Sequence, residues 1–154
     1  MDYRHQGLKT VAASKKMLAM LFIGFCLPVF AQAAWLTMAG HPGDASKDLL
    51  EVEPQSRTTT PGGPTLNIRV SRSALLSSTE GIPFRSYTAT ILVDCSAKKA
   101  RFVTSSFYMM PLWEGKPHTT LVYSISEIRP VLFRFFEPNP LAKIVRATCP
   151  AGMY

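Results

Sequence analysis

The stretch FRSYTATILVDCS, which runs from Phe84 to Ser96, decides how the rest of the chain is interpreted. Every second residue from Tyr87 to Cys95 is apolar or aromatic, whereas the residues between them include Thr88 and Thr90. Alternation with a period of two is typical of a β-strand that packs one face against a core. The stretch therefore predicts a strand that ends in a core-facing cysteine.

Two stretches that precede this strand also show β character. Leu66–Leu76 alternates in the same way, and a cluster of threonine, proline and glycine at 58–64 precedes it. Such a cluster is typical of a turn. The shorter run Lys47–Glu53 lies before the turn, and Pro54 is expected to end it. We therefore expect a hairpin around residues 58–64.

The run Ala100–Met110 is predicted to form the next strand, after a polar reversal at Ala97–Lys99. Strict alternation places Phe102 on one face and Phe107 on the other, so both faces are partly apolar. Such a pattern is typical of a central strand that is covered on both sides.

The clearest helix signal lies near the end of the chain. Asn139 is a favourable N-cap, and Pro140 suits the first helical position. Apolar residues then recur at helical spacing from Leu141 to Cys149, and Pro150 is expected to end the helix. Cys149 therefore falls on the apolar stripe that faces the sheet.

Together these elements predict an α+β fold, in which an antiparallel meander of about five to six strands packs against one C-terminal helix. Residues 34–48, which contain Trp35, are expected to form an irregular arm. His118–Ile128 is expected to be partly strand. The segment Val131–Phe136 leaves two interpretations open, a further short strand or a packed loop.

Residues 1–33 are predicted to be a secretory signal peptide. The apolar run MLAMLFIGFCLPVF at Met17–Phe30 follows four basic residues and precedes Ala31–Ala33. A basic region, a short apolar region and a small-x-small cleavage site are typical of such leaders. An uncleaved membrane anchor is the alternative, although a bilayer span needs about 20 apolar residues. Because Phe25 precedes Cys26 where a lipobox needs a small residue, no lipid anchor is expected.

Cleavage after Ala33 would leave one exported domain at residues 34–154. The whole chain has 154 residues and a net charge of +7. The leader holds four of the 17 Lys and Arg and one of the 10 Asp and Glu, so the exported domain carries +4. No second long apolar run follows the leader, so no transmembrane segment is expected in the mature chain. We expect no nucleic-acid partner, because no RNA- or DNA-binding motif accompanies this modest charge.

The exported domain keeps two of the three cysteines, Cys95 and Cys149. An even count in an oxidising compartment predicts a disulfide. Two free thiols that serve a metal or redox chemistry are the alternative, but neither the CxxC spacing nor a neighbouring histidine accompanies them. A bond that spans 54 residues would stabilise the fold by roughly 4 kcal/mol in the loop-entropy account.

Signals for catalysis are few in this sequence. His41 and His118 both lie in predicted loops, where solvated histidines are common. The motifs HExxH, GxSxG, GxGxxG and the P-loop do not occur. We therefore expect a non-enzymatic protein with no catalytic residues, no bound metal and no cofactor.

One basic cluster is a candidate patch for an anionic partner. It consists of Lys98, Lys99 and Arg101, with Arg85 expected nearby. Sulfated glycans, anionic lipid headgroups or an acidic protein would suit such a patch, and a solvated hairpin tip is the alternative. Trp113, in a loop flanked by proline and glycine, is a second candidate for contact with a partner.

The chain resembles the surface-adhesin protein E-like family, which consists of small exported proteins of Gram-negative bacteria. The matching segments are Trp35, Val52–Arg57, Gly62–Gly63, Leu66–Val70, Phe84–Ser86, Asp94–Cys95, Lys98–Lys99, Arg101–Phe102, Ser105–Tyr108, Gly115 and Leu141–Cys149. The chain departs from the family where Glu53 and Phe84 replace the usual Asp and Tyr, and in lacking a lipobox.

This resemblance implies a mostly antiparallel sheet with a helix, a Cys95–Cys149 bond, and a periplasmic or surface location. It also implies a binding role, because the founding member is an adhesin for host matrix and serum proteins. We therefore expect an adhesin-like module for a protein or glycan ligand of the host or the envelope. The alternative is a structural or stress-related protein of the periplasm with no host-binding role.

Overall fold

The sheet of this protein is an antiparallel meander in which each strand pairs with its neighbours in the sequence. The computed structural model describes residues 34–124 and 126–152. Within them the sheet has six strands in the order β1 to β6, which agrees with the predicted antiparallel meander of about five to six strands. The strands are β1 (Leu36–Gly40), β2 (Leu49–Thr60), β3 (Gly63–Ser77), β4 (Pro83–Asp94), β5 (Lys99–Tyr108) and β6 (Thr119–Val122), a 3₁₀ turn occupies Pro111–Trp113, and the helix α1 spans Leu141–Thr148.

One face of this sheet carries the apolar core. The register places Val70 beside Leu50 on one side and beside Tyr87 on the other, so apolar side chains line up across the strands. Two elements cover this face: α1, and the segment Arg129–Phe136, which we call the roof. The buried residues that they contribute are Val131, Phe133, Phe136, Ile144 and Val145.

Strand β2 continues through Pro54, so the prediction that this proline ends the strand is wrong. Pairing with β3 is irregular between Glu53 and Thr58, because proline has no N–H to donate to the ladder. The Ser56 hydroxyl bridges the gap. It donates to the Glu53 carbonyl over 2.6 Å and accepts from the Asn67 N–H over 2.8 Å.

Strand β5 contains a bulge at Val103 that strict alternation did not anticipate. Thr104 pairs with Thr90 and Phe102 pairs with the next residue, Ile91, which leaves Val103 without an opposite partner. An extra residue of this kind reverses the alternation beyond it. Phe102 and Phe107 consequently lie on the same face, and the prediction that they occupy opposite faces is wrong.

The helix and the disulfide lie where the sequence predicted them. The Asn139 side chain accepts a hydrogen bond from the Leu141 N–H over 2.9 Å, and the chain leaves the helix at Cys149. Cys95 and Cys149 are bonded, with their Cα atoms 5.7 Å apart. Because α1 is the one α-helix among residues 34–124 and 126–152, this part of the chain is mostly β, and the α+β label holds only in a coarse sense.

The less regular segments differ in part from expectation. The arm at 34–48 contains β1, which pairs with β2, so the prediction of an irregular arm is wrong for these five residues. Strand β6 occupies only four residues of His118–Ile128. Of the two interpretations left open for Val131–Phe136, the structure supports the packed loop. A hydrogen bond of 2.9 Å from the Val131 N–H to the Ala100 carbonyl holds this loop on the sheet.

The predicted signal peptide at 1–33, including Cys26, lies outside the described residues. None of the helices in the described part of the chain is long and apolar enough to cross a membrane.

Candidate functional site

The structure brings three members of the predicted basic patch together and separates the fourth. Lys98 lies in the turn before β5, Lys99 opens that strand opposite Asp94, and Arg101 follows on the same face. Arg85 lies near the other end of β4, roughly 30 Å away at about 3.3 Å per residue. Its guanidinium donates to two backbone carbonyls there, over 3.1 and 3.0 Å.

The two histidines lie apart from each other on the surface. His118 makes hydrogen bonds of 2.9 Å through both ring nitrogens, with the Pro83 carbonyl and the Thr119 hydroxyl. His41 is exposed in the turn after β1. Across the residues that the structure describes, no three His, Cys, Asp or Glu side chains are grouped so that they could hold a metal ion.

A cavity of about 310 Å³ lies between the apolar face of the sheet and the roof. Because the bulge at Val103 brings Phe102 and Phe107 to this face, aromatic rings form much of its wall. We call it the aromatic cavity. Its aromatic lining residues are Phe84, Tyr87, Phe102, Phe107, Tyr123, Phe133, Phe135 and Phe136.

Tyr87 lies at the centre of the aromatic wall. Its ring centroid is 5.5 Å from that of Phe84, 6.0 Å from that of Phe102 and 6.1 Å from that of Phe107. Edge and tilted contacts at these separations are favourable for aromatic pairs. The rings on the sheet therefore support one another.

Arg72 is the charged residue buried most deeply in the lining. It follows Val70 on the same face of β3, and only 8% of it is exposed. Its Nη2 pairs with the Asp48 carboxylate over 3.0 Å, and the rings of Phe135 and Phe136 lie 4.5 and 5.4 Å from Cζ. Its Nε is buried and has no hydrogen-bond partner. A buried donor without a partner is rare and costs about 1–3 kcal/mol.

Other polar groups also line the aromatic cavity. Glu80 and Arg129 form an ion pair at 3.6 Å. Burial raises the pKa of the Tyr87 phenol well above its ordinary value, although the Arg72 guanidinium acts in the opposite direction. Burial also raises the pKa of Tyr123. Both phenols therefore remain neutral groups that can donate a hydrogen bond.

The opposite face of the sheet carries a cluster that we call the tryptophan clamp, consisting of Trp35, Arg69, Trp113 and Glu51. The Arg69 guanidinium carbon lies 4.2 Å from each of the two indole ring centroids. Its Nε donates to the Glu51 carboxylate over 2.7 Å, and Glu51 is only 5% exposed. The clamp thus joins the residue before β1 to the 3₁₀ turn across β2 and β3.

Trp113 is held in place by backbone and serine hydroxyl groups, and its indole is fixed to the sheet. The indole N–H is within hydrogen-bond distance of two strand carbonyls, those of Val70 at 3.2 Å and Tyr87 at 3.0 Å. Its backbone N–H donates to the Ser86 hydroxyl over 3.0 Å, and the preceding N–H donates to Ser71 over 2.9 Å. Its position in a turn therefore serves the fold.

Sequence patterns missed both the aromatic cavity and Arg72. Arg72 falls within the alternating run Leu66–Leu76, where the core-facing position of a lone arginine was the only available signal. No protein-family model, curated protein or solved structure matches the chain. Its function is therefore inferred from its own residues.

Proposed function

We propose that this protein is a non-enzymatic, exported binding protein of the bacterial cell envelope, and that the aromatic cavity is its ligand site. The observation that carries the proposal is a cavity of about 310 Å³ lined by aromatic rings and by the buried Arg72. Ligand sites are commonly clefts of about 300–1,000 Å³ with apolar walls and a few placed polar groups.

The aromatic cavity is partly open to solvent, so it is a cleft of the surface and not a closed void of the core. Protein cores are close-packed, and few of their voids exceed a water molecule. The rings around Tyr87 keep favourable contacts with one another, so the side of the cavity formed by the sheet is well packed.

The chemistry of the lining supports binding as the role of this site. The aromatic rings are suited to contact an apolar group of the ligand. The polar groups of the lining can orient the ligand through its own polar atoms; they are Arg72, the phenols of Tyr87 and Tyr123, and the Glu80–Arg129 pair. The ligand in this proposal is a molecule of the host or of the envelope that inserts an apolar group into the cavity.

Export is supported by two independent features. One is the leader pattern at 1–33, and the other is the Cys95–Cys149 disulfide, because such bonds persist mainly in oxidising compartments. The resemblance to the surface-adhesin protein E-like family points to the same location. Within this proposal the chain is an adhesin-like member of that family.

Binding of the neutral fluorescent probe N-phenyl-1-naphthylamine tests the site. Leu132 lines the cavity and is 51% exposed, whereas Leu75 is 57% exposed and lies outside the lining, so Leu75→Glu is a matched control for Leu132→Glu. We expect saturable binding to the wild type and to Leu75→Glu, and at least tenfold weaker binding to Leu132→Glu. Equal binding by the two variants, or none by the wild type, would contradict the proposal.

Cell fractionation tests the location. Cells that produce the full chain are separated into cytoplasm, periplasm, outer membrane and medium. Recovery in the outer membrane or medium favours the adhesin role, and recovery in the periplasm alone favours the structural or stress-related alternative. Recovery in the cytoplasm with residues 1–33 still attached contradicts export.

A further inference from the structure

Among the described residues, the charged side chains that line the aromatic cavity each have a partner of opposite charge. They are Arg72, Glu80 and Arg129. Arg72 pairs at 3.0 Å with Asp48, which lies outside the lining, and Arg129 pairs with Glu80 at 3.6 Å. The two pairs together carry no net charge, so the wall of the cavity presents no excess of either sign to a ligand.

The charge of Arg72 is compensated within the fold. Its Nη2 faces the Asp48 carboxylate, and its Nε is buried away from solvent. The ring centroids of Phe135 and Phe136 lie 4.5 and 5.4 Å from Cζ. An anionic group in the cavity would therefore have to compete with Asp48 for the guanidinium.

We propose that the ligand of the aromatic cavity is an uncharged molecule with an apolar chain, of the class of fatty alcohols and esters, and that the cavity discriminates against carboxylates and ammonium ions. This inference rests on the proposed function, because it names the class of ligand for the same site. A charged group that leaves water without a free partner loses its hydration and gains no ion pair in return. An apolar chain instead gains free energy when it leaves water for the aromatic wall.

The uncharged polar groups of the lining suit a neutral ligand. The phenols of Tyr87 and Tyr123 both line the cavity, and burial raises the pKa of each, so both are hydroxyl groups at neutral pH. A phenol can donate a hydrogen bond to the oxygen of an alcohol or an ester, and it can accept one from an alcohol. The phenols can thus bind a neutral head group without an ionic contact.

Isothermal titration calorimetry on the full chain at neutral pH tests this inference with three probes of equal chain length: 1-octanol, octanoate and octylamine. At this pH the first is neutral, the second is an anion and the third is a cation. We expect octanol to bind at least tenfold more tightly than either charged probe, which is about 1.4 kcal/mol. A charged probe that binds as tightly as octanol would overturn the inference and leave the cavity as the site. Absence of binding by all three probes would contradict the proposed function as well.

Asp48→Asn tests whether the paired charges set this preference, since a neutral chain prefers many apolar sites. The variant leaves the Arg72 charge uncompensated beside the cavity, and opposite charges attract strongly where water is excluded. We expect the preference for octanol over octanoate to fall by about threefold or more. Asp44→Asn is the matched control, because it removes the same charge from the same connection between β1 and β2, where Asp44 is exposed and accepts hydrogen bonds from Ser46. A preference that is unchanged in Asp48→Asn, or that falls equally in Asp44→Asn, would refute the role of the Arg72–Asp48 pair.

Glu80→Gln is a second variant, which keeps the test decisive if Asp48→Asn does not fold. It leaves Arg129 without its carboxylate partner, so it should also shift the preference toward octanoate. Because the Arg129 side chain is 44% exposed, water and salt screen its charge, and the shift should be smaller than in Asp48→Asn. No shift in Glu80→Gln, or a shift toward octylamine, would contradict the balance of charges as the cause of the preference.

Discussion

The serine that anchors the 3₁₀ turn offers a sharp test of how the polar face of the sheet is held. Ser86 is fully buried, and its hydroxyl donates to the Met110 carbonyl over 2.7 Å while it accepts from the Trp113 N–H over 3.0 Å. Leu112 and Trp113 both have positive φ, 54° and 60°. Bulky residues rarely adopt this conformation, so the turn depends on such anchors.

Replacing Ser86 with Ala removes both hydrogen bonds and leaves their partners to find others. Each bond contributes about 1 kcal/mol net, and a donor left buried without a partner costs about 1–3 kcal/mol. Relaxation of the positive φ angles would offset part of this loss. We therefore expect the free energy of unfolding to fall by about 2–3 kcal/mol, and Tm to fall by roughly 6–12 °C for a domain of this size.

Urea denaturation followed by circular dichroism measures this loss. Ser106→Ala is the matched control, because the Ser106 hydroxyl makes one bond of 2.9 Å to Thr120 on the exposed part of the same face. The control should lose no more than about 0.5 kcal/mol. If Ser86→Ala loses as little as the control, the turn is not held by the serine hydroxyl and the account of the polar face fails.

Two further predictions concern the disulfide and the β4–β5 turn. Cys149→Ala should lose about 2–5 kcal/mol in urea denaturation, with no further loss in Cys95→Ala/Cys149→Ala; a larger loss in the double variant would show that Cys95 contributes apart from the bond. Hydrogen bonds from the Ala97 N–H and the Ser96 hydroxyl lower the pKa of Asp94 below 3.8, so its contribution to stability is present above pH 3.8 and is lost as the pH falls through the lowered pKa. Asp94→Asn should therefore lose less stability than the wild type between pH 6 and strongly acidic pH, and equal losses would contradict this assignment.

Elements with purely local signals were predictable from the sequence. β3 and β4 alternate with a period of two over long stretches, and α1 begins after an asparagine and ends before a proline. In each case the pattern depends on neighbours within the same segment, so no knowledge of the partner strand is needed. The disulfide was predictable for a different reason, the number of cysteines, because two remain once the predicted leader is set aside.

The departures from prediction depend on contacts between segments. Strand β2 passes Pro54 because the Ser56 hydroxyl bridges to Asn67, which is eleven residues further along the chain. The bulge at Val103 arises from the register between β4 and β5, and the residues of β5 alone do not reveal it. Local patterns consequently placed Phe102 and Phe107 on opposite faces.

The aromatic cavity could not be predicted for the same physical reason. Its wall needs the bulge in β5, its roof comes from residues beyond β6, and Arg72 is drawn from β3. The basic patch shows the opposite difficulty, because Lys98 and Arg85 lie close in sequence while an extended strand separates them. Proximity along a β-strand is a poor guide to a shared surface, since each residue adds about 3.3 Å.

The order of the strands has a consequence for the sequence of events during folding. Each strand pairs with its sequence neighbour, so the sheet can grow one hairpin at a time with short loop closures. Contacts of α1 are different: Thr148 accepts a hydrogen bond from Arg57, 91 residues earlier, and Cys149 meets Cys95 across 54 residues. We therefore expect the helix to dock late in folding, after a stage in which the apolar face of the growing sheet is exposed to chaperones and to aggregation. The Cys95–Cys149 bond, which can form only when these two residues meet, then holds the docked helix on the sheet.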